Sequence, residues 1–359
     1  MNLKYGLIIF VAIISIGCQS ESPEDAAERL GGRFMTNNGN VIGIFFHRSE
    51  KLKDADFSVF NELEHLEDML FLESSLTDSD MRTLGTLERI KHFNFSYTTI
   101  TGEGFKYLGT LNKLKAIDVS CTMITDQSLK HLITVKNLEG LILNGTKVTD
   151  ACVEHLLHME QLHNLSLYQT LITDDGARSL GTMHQLKRLC IGDTKITDEG
   201  VRALNNLSDL ELLNLEGMQI TDEGLRTLES FPKLEWLELG DTSISDDGMV
   251  SIGKLKNLTF LNLSKTAITD QGLKHLKDNS KLNLLALEGT DTSDEGLKSL
   301  QGLHDLQILT LTSTDISDNG LEHLKGLSNL QALNIWNTKV TDSGVASIQE
   351  ALPNCEINY

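Results

Sequence analysis

The sequence predicts an α/β solenoid, a horseshoe with a parallel β-sheet on its concave side and short helices on its convex side. Three observations carry this expectation. A phrase of the form Ile-Thr-Asp-x-Gly recurs; its acid stands at Asp78 and then, with Gly102 substituting once, at Asp126, Asp150, Asp174, Asp198, Asp222, Asp246, Asp270, Asp294, Asp318 and Asp342, every step being 24 residues. Within one unit, Leu210, Leu213 and Leu215 give L-x-x-L-x-L, followed by a turn at Ile220-Thr221-Asp222 and a helix bearing Leu225 and Leu228. Finally, 40% hydrophobic and 23% charged residues with only 3 prolines exclude disorder, and a repeat lets one domain grow to 359 residues lengthwise.

The N-terminal end reads separately. Lys4 and the apolar run 7–16 have the composition of a signal peptide over residues 1–17, too short to span a bilayer. "SIGC" at 15–18 resembles the lipobox of bacterial lipoproteins, with Ser15 where that family usually has leucine, and the resemblance implies lipidation of Cys18. Residues 18–25 then form the lipidated cysteine and a short polar tether containing Pro23. Residues 26–53 are expected to cap the stack: "PEDAAERL" at 23–30 is an amphipathic helix stopped by Gly31 and Gly32, and 33–46 reads as two strands about an Asn-Gly turn. The repeats occupy 54–349, with a weaker first unit carrying Phe57 and Phe60, and 350–359 is a capping strand with Ile357 and Tyr359 in the places of strand leucines.

Over about 300 residues the pattern resembles the leucine-rich repeat family, whose period of 20–29 residues includes 24. The nearest subtype has ITDxGLxxL repeats with Asn or Cys after the strand, as in substrate-binding arms of F-box adaptors. This chain has Thr there in most units, at Thr98, Thr122, Thr146, Thr170 and Thr194. The resemblance implies the fold and not the ubiquitin-related function.

The recurring acids are read as scaffold. A Thr-Asp pair before a helix supplies oxygens to its unpartnered N–H groups, whereas a calcium loop needs alternating acids closed by a bidentate glutamate. The glycine two residues on, replaced by Ser128 and Cys152, implies a size limit, with the helix packed close on the strand layer. Neither metal nor cofactor is expected. His131, His155, His275 and His323 share one helical position, which accounts for His155 beside His158 and His163. The cysteines lack C-x-x-C spacing, and a triad of Ser166, Asp118 and His92 would join distant units. No catalytic residue is assigned. A net charge of −20, about −21 once Lys4 is removed with residues 1–17, disfavours nucleic acid.

Function is therefore expected on the concave face. The position before the second leucine forms a ladder containing Leu212, Trp236, Phe260, Leu284 and Ile308, five large apolar residues in succession. Glu238 in the next ladder, and Glu216 and Glu288 in the one beyond, edge it; Tyr168 and Trp336 share that outer ladder. An apolar centre with a charged rim suits a protein or peptide ligand, or a glycan. The expectation is a lipid-anchored recognition module of the cell envelope. The alternative is a structural envelope component that packs laterally or self-associates, with the apolar stripe merely stiffening the sheet.

Overall fold

A computed structural model describes residues 21–359, so the signal peptide, the lipidation of Cys18 and the first residues of the tether, 18–20, lie outside the described residues, and residues 23–25, expected in the tether, are the first turn of a helix. Ser22 accepts the Asp25 N–H at 3.1 Å and starts the helix Pro23–Leu30. Gly31, at φ +77°, ends it in the left-handed conformation that costs glycine least. The strands Gly32–Asn37 and Asn40–His47 then pair antiparallel about Asn38 (φ +50°) and Gly39 (φ +82°), the doubly positive turn that matches strand twist.

From there one sheet of 15 strands runs in strict sequence order among the described residues. Only the outermost hairpin pair is antiparallel; every later pairing is parallel and advances by one repeat, as in Trp236 opposite Leu212 and Phe260. Such a register follows from a fixed period: equal spacing places equal positions side by side, so each inward leucine meets its own kind. Leu210, Leu213, Leu215, Ile220, Leu225 and Leu228 are all fully buried. At the N-terminal end the core is aromatic instead. Phe46 stacks on Phe71 at 5.2 Å and Phe71 on Phe95 at 5.7 Å, filling the space under the hairpin where the leucine pattern is incomplete.

The Thr after most strands donates its hydroxyl to the carbonyl three residues back, at 2.6 Å in the buried Thr98, Thr122, Thr146 and Thr170. That bond pairs the buried hydroxyl with a carbonyl as the chain leaves the sheet; in Thr98 and Thr146 the same carbonyl also accepts the backbone N–H of the threonine. The residue just before it is left-handed throughout, usually without being glycine: Tyr97, Cys121, Gln169, Asp193, Asp241, Lys265, Ser313 and Asn337 all have φ between +51° and +58°.

The recurring acids hold a different place from the one expected. The Thr caps its own helix, as where Thr221 accepts the Glu223 N–H at 3.3 Å, but the adjacent Asp reaches across to the next repeat. Asp198 accepts the Thr221 N–H at 2.8 Å and its hydroxyl at 2.7 Å, and the same two bonds recur in nine other units. The glycine size limit has a different partner, with Cys152 as the exception because it follows an Asp126 that still makes both bonds to Thr149. A Cβ on Gly224 would sit 2.5 Å from the Asp198 carboxylate of the preceding repeat, not against the strand layer. Where Gly102 replaces the acid, the following unit has room for Ser128, whose hydroxyl bonds Thr125 instead.

The final strand, Glu356–Asn358, adds in register with Ile357 opposite Leu333, while Tyr359 is exposed. Among the described residues no helix is long and apolar enough to cross a membrane.

Candidate ligand-binding face

Strand side chains alternate between core and concave surface, so the face is a grid: strands in one direction, ladders of equivalent residues in the other. The ladder through Leu212, Trp236, Phe260, Leu284 and Ile308 is continuous in the pairing. Trp236 and Phe260 stack with ring centroids 3.6 Å apart and planes 5° from parallel. That contact covers one face of each ring, so Trp236 is 38% exposed and the other four members are half-buried. The stripe is thus a ridge of mutually packed side chains rather than five free ones. The indole N–H of Trp236 donates to Glu238 at 3.2 Å, which ties the stacked ring to its own strand.

N-terminal to the ridge the same ladder shrinks to Ala116 and Gly140, and the face sinks into a groove of about 590 Å³. Its floor includes Ile117, Leu141, Ile142 and Leu165, and Leu212 closes the end nearest the ridge. Ile142 is 37% exposed there, because no neighbouring side chain of the first ladder rises over it. Polar groups at the groove pair with one another: His92 with Asp68 at 2.5 Å, and Asn94 with Asp118 at 2.9 Å. Arg188 is exposed beside Leu212 and is in no ion pair among the described residues.

On the outer ladder, beside the ridge, a second hollow of about 240 Å³ is lined by Tyr168, Asp193, Glu216, Asp241, Glu288 and Lys265, with Gly217 and Gly240 leaving it open. Partial burial and the negative charges of Glu238, Asp193 and Asp241 push the Glu216 carboxyl above its usual range, although Lys265 opposes them. The Asp193 carboxylate next to the Tyr168 hydroxyl raises that phenol strongly.

A family model described as Leucine Rich repeat matches residues 182–204 and 254–277. The chain is similar to the crystal structure of an internalin (inlF) from Listeria monocytogenes, at 20% identity and TM-score 0.62, over 93% of this chain and 88% of that one. It is also similar to a leucine-rich-repeat protein of Leptospira interrogans, at 17% identity and TM-score 0.58, over 95% and 99% of the two chains. The fold is a leucine-rich-repeat solenoid. No curated protein sequence matches the chain.

Within this leucine-rich-repeat solenoid, the expected site residues divide into three groups. Leu212, Trp236, Phe260, Leu284 and Ile308 form the ridge; Glu238 holds Trp236, while Tyr168, Glu216 and Glu288 line the acidic hollow. Trp336 is 56% exposed two repeats beyond Glu288 and belongs to neither. The groove is marked in the sequence only by a succession of small residues, Ala116 then Gly140, and not by large apolar ones. The loose triad does not assemble: His92 is taken by Asp68 and Asp118 by Asn94 and Ser120. Cys190 lies at the groove, half-buried, and burial raises its thiol pKa; Cys121, Cys152 and Cys355 are free thiols as well. No group of three His, Cys, Asp or Glu side chains suited to a metal ion occurs among the described residues.

Proposed function

We propose that the chain is a binding module that recognises a protein or peptide on its concave face, held at a bacterial membrane by acyl chains on Cys18. The observation that carries the reading is a pair of apolar features on one ladder, the Ala116–Gly140 groove and the Leu212–Ile308 ridge with its Trp236–Phe260 stack, separated by Asn164 and exposed Arg188. Sheet stiffening needs neither a groove floored by exposed Ile142 nor a tryptophan aligned by Glu238 at its edge. Leucine-rich repeats commonly serve protein recognition, which agrees with this use of the face, though a shared fold does not name a ligand. "SIGC" at 15–18 and the polar "QSESPED" after it support the anchor. Acyl chains must supply that attachment, since an acidic body gains nothing from an anionic membrane surface.

The test is affinity capture from native envelope extract with soluble residues 19–359 as bait, beside the Trp236→Glu/Phe260→Glu double variant. A protein retained by the first and lost by the second, with both baits folded, supports concave-face recognition. Equal retention of the same material, or of the bait itself alone, supports the structural alternative.

A further inference from the structure

The ridge and the acidic hollow lie side by side over the same repeats. The ridge spans four inter-strand steps from Leu212 to Ile308, about 19 Å, the length of about six extended residues. Along its flank the hollow gathers four carboxylates, Asp193, Glu216, Asp241 and Glu288, against the single ammonium of Lys265. Their charge is not compensated within the fold. None of the four is in an ion pair among the described residues, and their mutual repulsion is felt at Glu216. On the opposite edge Glu211 pairs with Lys187 beside Leu212, and further toward the N-terminus Glu67 pairs with Lys91 and Glu139 with Lys115. The flank of the ridge at the hollow is therefore negative.

We infer that the C-terminal half of the concave face takes an extended cationic segment of a partner protein, its apolar side chains on the Leu212–Ile308 ridge and its lysine or arginine side chains in the hollow between Glu216, Asp241 and Glu288. Successive side chains of an extended segment project to opposite sides, so alternating apolar and basic residues meet the two features together. Charge complementarity selects this occupant. A second copy of the chain, net −20, would bring like charge to the hollow. The inference rests on the concave-face reading above and adds the partner's chemistry.

Labelled octapeptides alternating leucine with lysine, glutamine or glutamate test it, titrated by fluorescence anisotropy against soluble residues 19–359. The leucine-lysine peptide is expected to bind about tenfold tighter than the leucine-glutamine peptide in low salt, the gap narrowing as salt screens the hollow. Glu216→Gln/Asp241→Asn removes most of that advantage, whereas Glu154→Gln/Glu350→Gln, the same charge change away from the concave face, leaves it. Equal affinities for the two peptides, equal effects of the two double variants, or no binding of the lysine peptide would each overturn the inference. Spermine bound as tightly as the lysine peptide by a Trp236→Glu chain would also overturn it, since the hollow would then act without the ridge. If both peptides bind equally and Trp236→Glu abolishes both, concave recognition survives and only the cationic preference fails. Binding untouched by Trp236→Glu defeats both readings.

Discussion

The carboxylate of Asp198 is bonded to Thr221 of the next repeat, to its backbone N–H at 2.8 Å and its hydroxyl at 2.7 Å, and it occupies the space that a Cβ on Gly224 would fill. Thr221 in turn caps its own helix through the Glu223 N–H. One residue pair therefore couples helix starts to repeat stacking, and its recurrence makes the convex edge a chain of carboxylate links.

Removing one link breaks two charge-assisted hydrogen bonds between repeats. Asp198→Ala is expected to destabilise the solenoid by about 2 kcal/mol in urea unfolding, because hydrogen bonds to charged groups are worth about 1.5–3 kcal/mol. Gly224→Ala should cost more than about 1 kcal/mol alone and much less in an Asp198→Gly background, since the new methyl then enters vacated space. Gly102 followed by Ser128 is the same exchange already present in the chain. Additive effects in that double-mutant cycle would refute the steric link.

The left-handed position at the end of each strand stores strain wherever it is not glycine. Cys121 stands there at φ +54° and is exposed, while Gly145 holds the equivalent place one repeat later. Cys121→Gly is expected to raise stability by up to about 1 kcal/mol, and Gly145→Ala to lower it by at least as much. Thermal unfolding of both variants checks the sign.

The groove and the ridge are separable by filling the floor. A Cβ on Gly140 would meet Ala116 Cβ at 3.3 Å and otherwise only atoms 4.0 Å away, so Gly140→Leu should fold with a stability change within about 1 kcal/mol while blocking the groove. Loss of partner capture by this folded variant would assign the groove to the site. Unchanged capture would confine the site to the ridge.

Two acids predict opposite responses to pH. Bonds from Thr341 hold the Asp318 carboxyl below its ordinary value of 3.8, so its contribution to stability is present above that value and lost as pH falls through the folded one. Glu216 is raised above 4.5, so the native state binds its proton more tightly, and stability falls as pH rises from 4.5 through the folded pKa. Glu216→Gln should therefore stabilise at pH near 7 and lose that advantage in acid; urea midpoints across the range decide it.

How much of this was legible follows from what a period can report. The 24-residue spacing placed Leu212, Trp236, Phe260, Leu284 and Ile308 in one ladder, and their strand pairing agrees residue by residue. The role of Asp198 was not legible, because local capping rules consider only its own helix, whereas its partner is 23 residues on. The groove escaped because Ala116 and Gly140 act by what they lack. The extent of the Trp236–Phe260 contact depends on ring orientation, which the pattern of residue types does not contain.

The central claim is that recognition takes place on the concave face, and hydroxyl-radical footprinting of the chain with and without its captured partner tests it most directly. Protection concentrated at Trp236, Phe260 and Ile142, with Leu157 on the convex helices and Tyr359 at the C-terminal end still oxidised as in the free chain, is the predicted result. Protection of Leu157 or Tyr359 with Trp236 unchanged would contradict it and transfer the interaction to the convex or terminal surface.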